Sequence, residues 1–270
     1  EKGKKKAIIK HVKGKCMTGN EVKANFSMKE SKKTILRVLN NSKTLKRIKY
    51  KCKPSLTPRH KSDRIDFCKY NMDRGEKWKN VIFSDEKKFN LDGPDGYQYY
   101  WHDISRSSNF LSRDCHNKKS VMVRGAFSFF DKSELYFFDR NIDSNVYIRT
   151  LQSHLIPFMN RLNLNDVIFQ QDNARPHVSE ATMTWIENHG IETLEWPAYS
   201  PDLNPIENLW GILVQRVYAN GRVYDNINDL KKSIKNEWNN IEKNILESLV
   251  TSMKSRMFEV LISGGSITKY

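Results

Sequence analysis

At residue 80 the chain changes character, and that change limits its fold more than any other feature. Residues 1–80 hold 25 Lys and Arg against 7 Asp and Glu; the remaining 190 residues hold 21 against 24. Beyond the change come short runs rich in β-branched and aromatic residues: VIFSDEKKFNLD from Val81, GYQYYWH from Gly96, SVMVRGAFSFF from Ser120 and ELYFFD from Glu134. Turn-forming groups such as Asp92-Gly93-Pro94 and Asp131-Lys132 separate them, so they read as strands. A helix over 144–162 follows, with Val146, Leu151, Leu155, Phe158, Met159 and Leu162 on its apolar face. Then strand and helix alternate: VIFQQD from Val167, a helix over 178–189, IETLEWP from Ile191, and a helix over 205–219. Antiparallel strands followed by such alternation predict a mixed α/β sheet flanked by helices. A long helical pattern closes the chain, with Leu230, Ile234, Trp238, Ile241, Ile245, Leu249 and Met253 at steps of three or four; Gly264-Gly265 ends it.

A basic segment on a nearly neutral body points to a polyanionic partner, nucleic acid first, because clustered Lys and Arg release counterions from phosphate. A solvated tail or a nuclear-import signal gives the same count. Within the segment, SMKESKKTILRVLNNS reads as an amphipathic helix with Ser27 as N-cap and Glu30 completing a capping box. Lys29, Lys33 and Arg37, with Lys32 beside them, form a basic stripe opposite Ile35, Val38 and Leu39. Such a helix suits the recognition element of a helix-turn-helix unit. Residues 50–62, with two prolines, read as a linker, and a second helix covers 62–74. No apolar run approaches the roughly 18 residues of a membrane span, and EKGKKKAIIK lacks the apolar core of a secretory signal. The chain starts with Glu rather than Met, as a fragment does. Cys16, Cys52, Cys68 and Cys115 form neither a CxxC pair nor a disulfide framework, which suggests a reducing, intracellular setting.

Three acidic residues stand out. Asp85 follows the apolar run Val81-Ile82-Phe83, and Asp172 follows Val167-Ile168-Phe169. If these strands are neighbours, both carboxylates project from one edge, where two anions need a cation between them. Taken singly, each Asp is better read as the start of a polar turn. Glu207 lies in SPDLNPIENLW, where Asn204 as N-cap, Pro205 at the first helical position and Glu207 three residues after the cap make a capping box. A cap therefore explains Glu207 as well as a metal ligand does.

The blocks SDEKKF at 84–89, QQDNARPH at 170–177 and SPDLNPIENLW at 200–210 resemble the signature motifs of the Tc/mariner superfamily of DDE transposases. The 34 residues between Asp172 and Glu207 match the branch whose third carboxylate is Glu. The likeness extends through DGPDGYQYYWHD and SVMVRGAFS and covers residues 25–262. It implies an RNase H-like catalytic core over 61–270, with Asp85 on the first strand, Asp172 on the fourth and Glu207 on a later helix, together holding two Mg²⁺ or Mn²⁺ ions. It implies metal-dependent cleavage of transposon ends and strand transfer in the nucleus, with terminal inverted repeats and target DNA as partners, and a homodimer in the synaptic complex. Residues 1–60 become a DNA-binding arm, its contacts carried by Lys29, Lys32, Lys33 and Arg37. Asn173, Arg175 and His177 are candidates either to meet a phosphate or to orient Asp172. Asp202 reads as a turn or cap residue, and Tyr99, Tyr100 and Trp101 as strand packing.

Two features depart from the family. Members carry two helix-turn-helix units, of which only the tail of the second is recognisable, around 27–40. Arg124 stands where Trp is expected, and an Arg in an apolar strand needs a partner or a wet face. A catalytically silent DNA-binding derivative, and an RNase H-type nuclease using the same site, are the competing functions.

Overall fold

The computed structural model describes residue 7 and residues 19–25, 31–42, 55–93, 120–139, 141–164 and 166–270. They belong to two compact units, Glu1–Lys53 and Pro54–Tyr270. In the first unit, helix α1 (Gly19–Asn25) packs against α2 (Lys32–Asn40), burying Val22 and Ile35. The side chain of Ser31 caps α2 by accepting from Thr34 N. Lys32, Lys33 and Arg37 are exposed, whereas Val38 and Leu39 are half-buried. The Ser27–Glu30 capping box, Lys29, the segment GYQYYWH and Cys16, Cys52 and Cys115 lie outside the described residues.

The second unit begins with α3 (Pro58–Asn71). This corrects the linker reading of 50–62: Pro58 starts a helix instead of breaking one, since its missing N–H is unneeded there. Thr57 accepts from His60 N, and the His60 imidazole accepts from Thr57 N in return. A 3₁₀ stretch, Met72–Asn80, leads into the sheet. Its strands are β1 (Val81–Asn90), β2 (Ser120–Phe127), β3 (Tyr136–Phe138), β4 (Ile168–Gln170) and β5 (Glu192–Thr193), in the order β3-β2-β1-β4-β5. The β3-β2-β1 half is antiparallel, and β4 and β5 join parallel to β1. This is the predicted mixed sheet.

Strand side chains alternate between faces. Val81, Phe83 and Phe89 of β1, with Val121, Val123 and Phe127 of β2, point into a core shared with α7 (Ile206–Val217) and α8 (Ile227–Asn239), then α9 (Lys243–Thr251) and α10 (Met253–Ile262). Ile82, Ala126 and Phe169 point into a second core under α4 (Ser144–Thr150), a π turn (Leu151–Leu155), α5 (Ile156–Leu162) and α6 (Glu180–Asn188). The single long C-terminal helix expected from periodicity is instead three. Breaks at Asn240 and Ser252 let α8, α9 and α10 bend round the sheet while Trp238, Ile241, Leu246, Val250 and Met253 all reach one core. Gly264, with φ of 61°, follows the end of α10, as expected. Among the described residues, no helix is long and apolar enough to cross a membrane.

Candidate active site

Asp85 lies inside β1, not at its end. The apolar run stops at Phe83, but β-pairing is a backbone property and continues from Ser84 to Asn90 against β2. Asp85 shares the face of Phe83, and its cross-strand partner is Gly125. The missing side chain there leaves room for the Trp210 ring: a Cβ on Gly125 would stand 2.8 Å from its Cη2. Trp210 is fully buried on α7 and donates its indole N–H to Asp85 Oδ2 at 3.1 Å. Burial pushes the Asp85 carboxyl well above the usual carboxylate range. The charges of Glu207, Glu86 and Asp172 push it further, against a lowering bond from the Glu86 backbone.

Asp172 lies two residues beyond β4. Phe83 is level with Gln170 in the parallel β1–β4 pair, so Asp85 and Asp172 each lie two residues further along in the same direction. Asp172 Oδ1 accepts from Ala174 N at 3.0 Å and from His177 Nδ1 at 2.6 Å. An ionised carboxylate only accepts, which places a proton on His177 Nδ1. Burial opposes ionisation of Asp172, but the His177 bond, the Ala174 bond and the charges of His177 and Arg124 outweigh it and hold the carboxyl below its ordinary range.

Glu207 occupies the first turn of α7 and is half-buried. The expected capping box does not form. Asn204 Oδ1 accepts from Ile206 N, its amide donates to Ser84 O on β1, and the Glu207 carboxylate receives no hydrogen bond from a described residue. Asn204 thus braces the start of the helix and ties it to the strand of Asp85. A cleft beside Glu207 is walled by Lys87, Lys88 and Tyr218. Among the described residues, no three His, Cys, Asp or Glu side chains converge closely enough to hold a metal ion by themselves. What the fold brings together is three carboxylates within electrostatic reach.

The neighbouring candidates separate. Asn173 donates to Trp196 O at 2.9 Å and so fastens two loops. Arg175 is exposed, while His177 is buried against Asp172. Asp202 does sit in a turn, the 3₁₀ segment Pro201–Leu203, but its carboxylate does more than close it. It is buried and paired with fully buried Arg64 of α3 through two 2.8 Å bonds, and it accepts from the Thr268 N–H and hydroxyl. Arg256 bonds Asp202 O and Asn208 Oδ1, so α3, α10 and the C-terminal tail all grip the loop that launches Glu207. Glu86 carried no signal of its own. It faces Arg124 across β1 and β2 and supplies the partner that a buried Arg needs; only the misfit of Arg124 in an apolar strand pointed to such a residue.

A mixed sheet with one carboxylate on its central strand, a second just beyond the neighbouring parallel strand and a third on the following helix suits a polynucleotide-cutting core. The family of DDE superfamily endonucleases matches residues 80–231, more than half of the chain. The chain belongs to that family, in its Tc1/mariner branch of DNA-cleaving and strand-transferring enzymes. It is 41% identical over 263 residues to the Tc3 transposase of Caenorhabditis elegans, covering 97% of this chain and 79% of the relative. It is 31% identical to the Tc1 transposase of the same organism over 246 residues, covering 89% and 88%. Among solved structures it resembles a Mos1 transposase paired-end complex with the left transposon end (TM-score 0.76, 17% identity, 98% and 79% covered). It also resembles the catalytic domain of Mos1 mariner transposase (TM-score 0.64, 17% identity, 81% and 100% covered). At that identity the structures speak to the fold alone, which the first matches over 98% of the chain and the second over 81%.

Proposed function

We propose that this transposase cleaves the ends of its own element and joins the freed 3′-hydroxyl to target DNA, with Asp85, Asp172 and Glu207 as the ligands of two divalent cations. The observation that carries the reading is the placement of Asp85 on β1, Asp172 just beyond the parallel neighbour β4 and Glu207 on the first turn of α7, whose start Asn204 ties to β1; burial and the nearby charges of Glu207, Glu86 and Asp172 raise the Asp85 carboxyl accordingly. A cation relieves that repulsion, and an all-oxygen set of Asp, Asp and Glu suits Mg²⁺ or Mn²⁺. When bound, the ions activate the attacking oxygen and neutralise charge on the leaving one.

The chain's own groups prepare that chemistry. Trp210 fixes one oxygen of Asp85, and His177 with Ala174 fixes one oxygen of Asp172. Asn204 sets the start of α7 against β1 and so sets where Glu207 reaches. Lys87 and Lys88 line the cleft beside Glu207, where a DNA phosphate backbone is accommodated. Residues 1–60 serve as a basic DNA-binding arm through Lys29, Lys32, Lys33 and Arg37, and 61–270 as the catalytic domain. The working form is a homodimer pairing two transposon ends, as in the Mos1 paired-end complexes, and it works in the nucleus.

Labelled terminal-repeat duplex incubated with the 270-residue protein and Mg²⁺ or Mn²⁺ tests this. Metal-dependent nicking at the repeat boundary is expected. Binding without nicking in either metal would refute it.

A further inference from the structure

The residue that fits the family pattern least, Arg124, has a role in this fold. Its side chain is on the face of the sheet opposite Asp85, buried under α4, and is directly across from Glu86 in the β1–β2 register. Nη1 donates to Glu86 Oε1, Nη2 donates to Ser84 Oγ at 3.0 Å, and the guanidinium stacks 4.7 Å from the Tyr147 ring. The second Glu86 oxygen is turned to His177, with Oε2 at 3.7 Å from Nε2. The other imidazole nitrogen holds Asp172 Oδ1 at 2.6 Å.

The imidazole has little freedom. Its ring lies on Tyr147 with centroids 4.0 Å apart. The Tyr147 hydroxyl donates to Gln171 Oε1, and the Gln171 amide donates to His177 O. A line of contacts therefore runs from β2 through β1 to the loop after β4: Arg124, Glu86, His177, Asp172. Asp172 itself is half-exposed and would otherwise sample several rotamers. Carboxylates and imidazoles around a metal site take their orientation from such outer partners, whose loss lowers metal affinity about 10- to 100-fold.

We propose that Arg124 and Glu86 are positioning residues for Asp172, acting through the His177 imidazole. The proposal rests on the reading of Asp172 as a metal ligand.

The test measures Mn²⁺ affinity of the full 270-residue protein by the electron paramagnetic resonance signal of free Mn²⁺, with circular dichroism confirming that each variant is folded. Asp172→Asn should weaken binding and reports on the underlying reading. Glu86→Gln should weaken it about tenfold. His177→Asn keeps an amide donor near the Nδ1 position but does not extend to Glu86. Adding Glu86→Gln to His177→Asn should then change nothing further. If Glu86→Gln alone does not fold, Arg124→Gln/Glu86→Gln, which removes both buried charges, replaces it throughout. An equal loss from the Glu86 change in both backgrounds overturns the coupling through His177. No loss from it in either, with Asp172→Asn still weakening binding, overturns the positioning role alone. Unchanged affinity in Asp172→Asn overturns the ligand reading and the proposal with it.

Discussion

Gly125→Ala is a one-methyl change with a large expected effect. The backbone at Gly125 lies outside the positive-φ region, so alanine meets no conformational strain there. On that ground alone the substitution would stabilise by about 0.4–1 kcal/mol through the unfolded chain. The new Cβ, however, would stand 2.8 Å from Trp210 Cη2, 3.1 Å from Leu135 Cδ2 and 3.2 Å from Trp238 Cη2. Trp210 and Trp238 are fully buried, so neither ring has space to withdraw. Overpacking of this kind costs about 1–3 kcal/mol, which exceeds the entropic gain and leaves a net loss of about 1–2 kcal/mol. For a unit of this size that lowers the melting midpoint by roughly 2–8 °C. Because Trp210 holds Asp85 Oδ2, displacing the ring should also weaken Mn²⁺ binding. Gly211→Ala is the matched control: nothing lies within 4 Å of its Cβ position in α7, and helix propensity predicts a gain of about 0.5–1 kcal/mol. Calorimetry on both variants decides the matter. A Gly125→Ala protein that melts at or above the wild-type temperature would refute the packing argument.

Further predictions concern the C-terminal clasp and the basic arm. Burial favours a neutral Asp202, but Arg64 and Thr268 outweigh it and hold its carboxyl below the ordinary range. The stability it contributes is therefore present above about pH 3.9 and lost as pH falls through the depressed folded value. Asp202→Asn should cost about 3–5 kcal/mol at pH 7 by leaving Arg64 buried and unpaired. In urea melts the gap from wild type should narrow below pH 4; a gap independent of pH would contradict the ion-pair account. Gly265→Ala should loosen the same clasp, since φ is 78° and a Cβ would sit 2.4 Å from Lys61 O; limited proteolysis should then trim the tail faster, and an unchanged rate would count against it. Removing residues 1–50 should weaken DNA binding and flatten its dependence on salt, and an unaltered slope in fluorescence anisotropy would show that the arm meets no phosphate.

Much of the site could be read in sequence because its parts are local. The apolar runs before Asp85 and Asp172 mark strands, and the fold pairs them in parallel, with Phe83 beside Gln170 and each carboxylate two residues on. Glu207 was ambiguous because cap and ligand share one address at a helix start. In the fold the helix start is held by Asn204, whose side chain reaches both Ile206 N and Ser84 O, 120 residues away in sequence. Asp202 looked like a loop residue because its partners, Arg64 and Thr268, lie at opposite ends of the catalytic unit. Hydrophobicity stops at Phe83, while the hydrogen-bond ladder of β1 runs on past Asp85 to Asn90. Periodicity likewise ran through α8, α9 and α10 without a break, since helices that turn a corner can still face one core.

If Asp85, Asp172 and Glu207 cut DNA together, single-turnover cleavage of labelled terminal-repeat DNA in Mg²⁺ by wild type, Asp85→Asn, Asp172→Asn and Glu207→Gln, with DNA affinity measured alongside, will show it. Each variant should bind DNA within a small factor of wild type and cleave none of it. Cleavage that survives any one of the three substitutions at a comparable rate would contradict it.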